Sequence, residues 1–271
     1  RRAGALEGKE FAKSIEALAP KDREERIWEE VTRGNVPDFL RRLVPLEISE
    51  QIEGRTVTAQ LFVTPDYLAV GSNQDYFFTP LTPYTAQRIG DRLRCFLPTR
   101  KVVDAIYRSA AVKLSPSPIP PSPAMTTVPV FETHNQTVWS QRSPLLAQFP
   151  LGTLVAGDKK DIVICKALAK TPGHVAIYGW HRLDGNPIQP LYLGHVASWA
   201  DYSHGVRLVA GIALVDGKRI SVARLLADPK LSVLLSDEGP ILRPRYTIRE
   251  FPTEPKKLAT PGLLAVLGAD R

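Results

Sequence analysis

Residues 115–129, Ser-Pro-Ser-Pro-Ile-Pro-Pro-Ser-Pro-Ala-Met-Thr-Thr-Val-Pro, constrain this chain more than any other stretch. Five prolines between Pro116 and Pro123 fix φ and remove backbone donors, so neither a helix nor a central strand can run through them. The path has to be extended and polyproline-like. Apolar Ile119, Met125, Val128, Val130 and Phe131 are interspersed among the prolines, whereas a free linker is rich in Gly and Ser. The segment therefore reads as an ordered strap across one domain, residues 1–271, rather than a hinge between two.

On either side of the strap the patterns differ. Residues 1–50 read as a helical N-terminal section, in which Ile27, Trp28 and Val31 fall at helical spacing before Gly34. A second short helix is expected up to Pro45. Thr56–Val63 and Tyr67–Gly71 are rich in β-branched and aromatic residues and break at Pro65-Asp66, as a hairpin would, with residues 76–81 extending the sheet. Thr82 is placed to cap a helix that starts at Pro83, and a third helix places Val102, Val103, Ile106, Tyr107 and Ala110 on one face. A helix is expected over 131–149. From there the chain reads as β, with turns at Gly157-Asp158, Asp184-Gly185 and Asp216-Gly217, a short helix from Val222 to Asp228, and a proline-bearing tail. The fold class is α+β: N-terminal helices and a mainly antiparallel β-sheet. The strands between Leu154 and Val215 are expected in one sheet, with the helices of 82–111 on one face.

Composition narrows the partners. The formal net charge of +7 favours anionic surroundings such as a cell wall or membrane surface. The basic residues are scattered and match no nucleic-acid motif, so no nucleic-acid partner is expected. No run of about 18 apolar residues occurs, so no transmembrane segment is expected. The chain opens on Arg1-Arg2 rather than Met. If a signal peptide preceded them, the protein is secreted or periplasmic. Cys95 and Cys165 fit one disulfide or a free pair.

Unusual chemistry concentrates between Gly173 and Val209. Four of the five histidines, His174, His181, His195 and His204, lie there with Trp180, Trp199, Tyr202, Asp184 and Asp201. Histidine titrates nearest neutrality and is a common metal ligand, so the window is a site candidate. Cys95 sits at a helix junction with Arg92, Arg94, Arg100 and Lys101 close in sequence, and cationic neighbours lower a thiol pKa. A nucleophilic cysteine needs a histidine base brought to it by the fold.

The order of a cysteine near a helix and a histidine on a following antiparallel sheet resembles that of papain-like peptidases. Gly-His-Val-Ala-Ile-Tyr at 173–178 is similar to the histidine-bearing strand of NlpC-type cell-wall peptidases, in which a His-Val-Gly-Ile-Tyr run carries the general base. That likeness spans about six residues. The family's nucleophile opens a helix in an Asp-Cys-Ser-like run, where this chain has Arg94-Cys95-Phe96-Leu97-Pro98. The chain as a whole also looks like exported bacterial proteins. The resemblance implies a papain-like arrangement and a hydrolase of peptide or amide bonds in cell-wall-like material. Cys95 would be nucleophile, His204 or His181 the base and Asp201 an orienter. Trp180, Trp199, Tyr202 and Ser203 would meet a peptide or polymer substrate, and no cofactor is required. Within one regular strand Asp201 and His204 would face opposite ways, so a bulge at Gly205 is needed to join them.

Two other readings use the same residues. His181, His195, His204 and Asp201 could form an open zinc site for hydrolysis, although no helix-spaced metal signature is present. The aromatics could instead line a groove in a non-catalytic carbohydrate- or peptide-binding domain. At Asp201-Tyr202-Ser203-His204-Gly205 the strongest expectation is one pocket built around His204 and His181.

Overall fold

The computed structural model describes residues 1–247, and the end of the expected proline-bearing tail lies outside them. The described chain is α+β with mainly antiparallel sheets. It opens with α1 (Gly8–Ile15), which buries Phe11 and Ile15 one turn apart. α2 (Pro20–Thr32) buries Ile27 and Val31 in the same way and carries proline at its first position, where the missing N–H costs nothing.

The helical section ends earlier than residue 50. Asp38–Arg41 is a single 3-10 turn, and β1 (Val44–Ile52) follows. Leu46, Ile48 and Ile52 point inward while Pro45, Glu47 and Gln51 point outward, a period of two rather than 3.6. Pro45 is tolerated because, among the described residues, β1 pairs only with β2 (Arg55–Val63) and is an edge strand. Glu53 and Gly54, with φ of 50° and 80°, close the two-residue turn between them. The hairpin is there and not at Pro65-Asp66.

The remaining elements, in order, are β3 (Ala69–Gly71), β4 (Tyr76–Phe78), α3 (Pro83–Leu93), β5 (Cys95–Phe96), α4 (Arg100–Ser109), β6 (Val112–Lys113) and α5 (Val128–Arg142). Then come β7 (Val155–Ala156), β8 (Lys160–Ile162), β9 (Ile177–His181), β10 (Pro187–Tyr192), β11 (His204–Gly205), β12 (Val209–Ala210), β13 (Ile212–Val215), β14 (Lys218–Ser221) and α6 (Val222–Ala227). β2 is the axis of the larger sheet: β1 lies on one side, β13 and β12 follow one another along the other, and β14 and β5 complete it. The second sheet runs β10-β9-β8-β11, with β8 and β11 parallel.

The expected single sheet from Leu154 to Val215 is thus divided. β7 pairs in parallel with β6, β8 to β11 form the second sheet, and β12 and β13 join β2. Residues 76–81 likewise do not extend the main sheet, because β4 pairs with β3 alone. The chain turns out of register at glycines that let backbones touch. A Cβ on Gly157 would meet the Leu114 carbonyl oxygen at 2.3 Å, and one on Gly211 the Arg94 oxygen at 2.6 Å. The largest hydrophobic cluster runs from Phe11 to Tyr246, and two smaller ones gather around Tyr76 and Phe78 and around Val163 and Tyr178.

The strap is fastened to the domain. Ser115 N–H donates to Gln141 Oε1 at 2.8 Å, and Ile119 and Met125 pack against the core. The Tyr202 hydroxyl accepts from Ile119 N–H at 2.7 Å and donates to the Ile119 carbonyl at 3.1 Å. Tyr202 N–H donates to the Met125 carbonyl at 3.1 Å. Among the described residues no helix is long and apolar enough to cross a membrane.

Candidate functional site

Asp201 and His204 come together because the chain turns between them. His204 N–H donates to the Asp201 carbonyl at 3.0 Å, closing a tight turn ahead of β11. The Ser203 N–H and hydroxyl both donate to Asp201 Oδ1, at 2.8 and 2.5 Å. Asp201 Oδ2 accepts from the Trp199 indole at 3.2 Å and lies 3.9 Å from His204 Nε2. The opposite-face problem of a regular strand does not arise, since Asp201 to Ser203 are not a strand.

The electrostatics of this group are unusual. Burial pushes the His204 imidazole down to about 4, so it is neutral at physiological pH, and neither ring nitrogen makes a hydrogen bond of ordinary length. Burial opposes the charge on Asp201, yet the His204 ring and the Ser203 donors outweigh it and hold the carboxyl below its usual range. Lys160 is the register partner of His204 across β8 and β11. Its ammonium lies 4.9 Å from the centre of the Trp180 ring, and burial lowers its pKa against the pull of Asp201. His195 stacks on Trp199 at 5.2 Å and 16°, and burial lowers its pKa too. A chain of contacts therefore leads from buried His204 through Asp201 to half-exposed Trp199 and His195.

His181 belongs elsewhere. Its Nε2 lies 2.9 Å from Asp104 Oδ1 on α4, its ring stacks on Tyr107 at 4.5 Å, and Tyr178 donates to the same Asp104 oxygen at 2.8 Å. These residues line an open cleft of about 480 Å³, with Arg108, Lys113 and Asp184 on its walls. None of these partners is shared with His204. β8 runs between β9 and β11, so the single pocket expected around both histidines is two separate groups.

Cys95 has no histidine beside it. It lies in β5 against β12, its thiol donates to the Leu93 carbonyl at 3.5 Å, and burial pushes its pKa up to about 11. The cationic neighbours in sequence do not lower it, so the reactive thiolate is disfavoured at neutral pH. Cys95 and Cys165 are both free thiols, which removes the disulfide option. Among the described residues no three His, Cys, Asp or Glu side chains group as a metal site requires, and His181 stands apart from the other proposed zinc ligands. Trp180, Tyr202 and Ser203 are buried and serve inner contacts instead of lining a groove; of that expected set, Trp199 alone keeps partial exposure. His174 forms an isolated bridge with Val196 outside β9, and its Nδ1 is buried without a partner.

The largest group of buried charges escaped sequence reasoning. A turn is expected at Gly157-Asp158, yet Asp158, and Lys159 and Asp161 just after it, are almost fully buried. Lys159 Nζ lies 2.9 Å from His134 Nδ1 and donates to the Tyr202 carbonyl at 2.7 Å. Burial pushes that lysine down to about 8 and His134 down to about 2. Asp161 accepts from the Tyr67 hydroxyl at 2.9 Å, and burial raises it to about 6. Arg207 donates to the Thr64 and Val155 carbonyls, both at 2.9 Å, and its guanidinium stacks 4.3 Å from the Tyr67 ring. Two sequence signals could have pointed here: Arg207 three residues after His204, and a charge run between two apolar strands. Comparison with protein-family models, curated proteins and solved structures finds no match to this chain.

Proposed function

We propose that the chain is a hydrolase of amide-type bonds in which His204 is the general base and Asp201 its orienting carboxylate. The observation that supports this is the neutral His204 ring 3.9 Å from an ionised Asp201. In the reaction His204 Nδ1 takes a proton from water as the water oxygen bonds to the carbonyl carbon. The carbonyl π electrons move to oxygen, where Lys160 offsets the negative charge. Collapse of that adduct breaks the C–N bond, and the imidazolium returns its proton to the leaving amine. Asp201 holds the imidazolium charge in the interval. Substrate reaches the ring by displacement of the stacked His195 and Trp199.

Cys95 is left out of this set, and the thiolate route is replaced by activated water. The basic charge of +7 supports a polyanionic target such as cell-wall-like material outside the cytoplasm, and that part of the reading belongs to the proposal. A second reading is supported by the open cleft at His181, whose Tyr107, Arg108 and Lys113 suit a non-catalytic hold on an acidic polymer.

The test is hydrolysis of a panel of chromogenic peptide amides and wall-peptide fragments. His204→Ala should lose roughly 10²-fold or more in rate with folding intact. Cys95→Ala and added chelator should each change the rate less than about twofold. Equal rates for the parent and His204→Ala proteins, or no hydrolysis of any panel member by the parent, would overturn the assignment. Retention of an acidic polymer lost in Arg108→Ala/Lys113→Ala, without any hydrolysis, would establish the second reading.

A further inference from the structure

Away from both histidine groups, a cavity of about 280 Å³ opens where the end of α2 and the 3-10 turn at Asp38–Arg41 face the end of α3 and β5. Val206 and Leu208, 1% and 3% exposed, form its deep end. Leu43 and Leu93, 36% and 45% exposed, stand where it meets solvent. It shares no residue with the Asp201–His204 group or with the His181 cleft.

The walls are aliphatic. Among the described residues the lining holds no aromatic ring and no carboxylate. Its few polar side chains are already engaged. Thr32 Oγ1 donates to the Trp28 and Glu29 carbonyls at 2.8 and 3.2 Å, and Thr64 Oγ1 accepts from Leu208 N–H at 3.2 Å. No buried side-chain nitrogen or oxygen on the lining lacks a partner, so the interior offers no fixed point to a polar group. Cys95 also faces this space, and burial pushes its thiol up to about 11, in keeping with surroundings of low polarity. The one charged lining residue, Arg41, keeps 42% of its side chain exposed. Its Nε donates to Asp38 at 3.1 Å and its Nη2 to the Gly34 carbonyl at 2.6 Å, while Nη1 makes no hydrogen bond among the described residues.

These features select a ligand class. An apolar chamber without idle polar groups excludes water poorly bound to it and takes up hydrocarbon. Walls of Val and Leu without a ring suit a flexible chain better than an aromatic ligand, which gains from ring partners. The chamber is open, so an occupant has one end in water, and a polar head there meets Arg41. The volume lies at the lower edge of the range for small-ligand pockets, about 300–1,000 Å³, which limits the chain to medium length. We propose that this cavity binds the aliphatic chain of a medium-length amphiphile, with the chain against Val206 and Leu208 and the head beside Arg41.

The experiment is a titration of the full chain with butanoate, hexanoate and octanoate, followed by NMR shifts of the Leu and Val methyl groups. Octanol separates a neutral from an acidic head, and benzoate is the aromatic comparator. Saturable binding of octanoate or octanol is expected, with Kd on the order of 0.1–1 mM. Each step of two CH2 groups should tighten the acid series on the order of tenfold. Leu93→Glu, at an exposed position, should weaken octanol and octanoate at least fivefold with the melting temperature nearly unchanged, and Leu43→Glu should do the same from the other side of the mouth. His204→Ala should bind normally, which separates this site from the hydrolytic reading. No saturable binding of either eight-carbon probe, affinity independent of chain length, tighter binding of benzoate than of octanoate, or undiminished binding in both glutamate variants would overturn the proposal.

Discussion

Two buried residues give the protein opposing pH dependences. Asp66 titrates near 3.8 when exposed and at about 7 in the fold, so the folded chain holds its proton more tightly. Its contribution to stability is greatest below the lower value and is lost as pH rises to the upper one. His204 moves the other way, from 6.5 down to about 4, so the unfolded chain holds that proton more tightly and stability falls as pH drops through this window. The parent protein therefore shows a compressed pH profile between these values. In Asp66→Asn the carboxyl no longer ionises, and its denaturation midpoint should rise relative to the parent from pH near 4 to pH near 7. Parallel midpoint curves in urea across that range would show that Asp66 is not the titrating group. Cys95→Ala belongs to the same scale. The thiol is half-buried, packs against the core and donates to the Leu93 carbonyl, so a loss of about 1 kcal/mol, with activity spared, is expected from denaturant unfolding.

Among elements, the strap is tied near Ser115 by the Gln141 side chain and near Ile119 by Tyr202. The Tyr202 hydroxyl makes both hydrogen bonds to Ile119, so Tyr202→Phe leaves a buried ring in place and unties the strap from it. A loss of about 1–2 kcal/mol is expected, with faster amide exchange confined to residues near Ile119. Exchange unchanged at Ile119 would mean that packing of Ile119 and Met125, with the remaining hydrogen bonds, holds the strap without the hydroxyl. The extended path was legible over 115–122, where prolines and apolar residues are a local pattern. Pro123–Thr126, however, forms a 3-10 turn and α5 begins at Val128, inside the range expected to be extended. Also legible were α3, α4, α6 and the turns at Asp184-Gly185 and Asp216-Gly217, each announced by caps, spacing or glycine. β5, β7, β11 and β12 were not, since two residues carry no period, and their pairing is decided by distant backbone such as Leu114 and Arg94. The site shows the same division. Rarity of histidine drew attention to the window that holds the Asp201–His204 group, and the nearness of those two residues is local. The separation of His181 from His204 depends on β8 entering between their strands, and the silence of Cys95 on its pairing with β12.

At the scale of the whole molecule, Arg207 joins the two sheets. It lies between β11 and β12, donates to the carbonyl of Thr64 just past β2, and donates to the carbonyl of Val155 in β7. Its Nε lies 3.9 Å from Asp161 Oδ1 on β8, and its ring-like guanidinium covers Tyr67. Three separate segments, residues 64–67, β7 and β8, therefore converge on one cation that is 1% exposed. Its charge also tempers Asp66, Asp158 and Asp161, all of which burial pushes toward protonation. Arg207→Met keeps much of the volume but removes two carbonyl partners and leaves three buried acids without that counter-charge. Loss of one partner from a buried charged set costs about 3–5 kcal/mol, a large share of the stability of a domain. If the cost is electrostatic, Asp161→Asn added to Arg207→Met should recover part of it, because one of the stranded charges is gone. If instead Arg207 acts mainly by holding the Thr64 and Val155 carbonyls, the double variant should be no more stable than Arg207→Met alone. A double-mutant cycle in chemical denaturation separates the two, and the buried position of Asp161 beside Arg207 favours recovery.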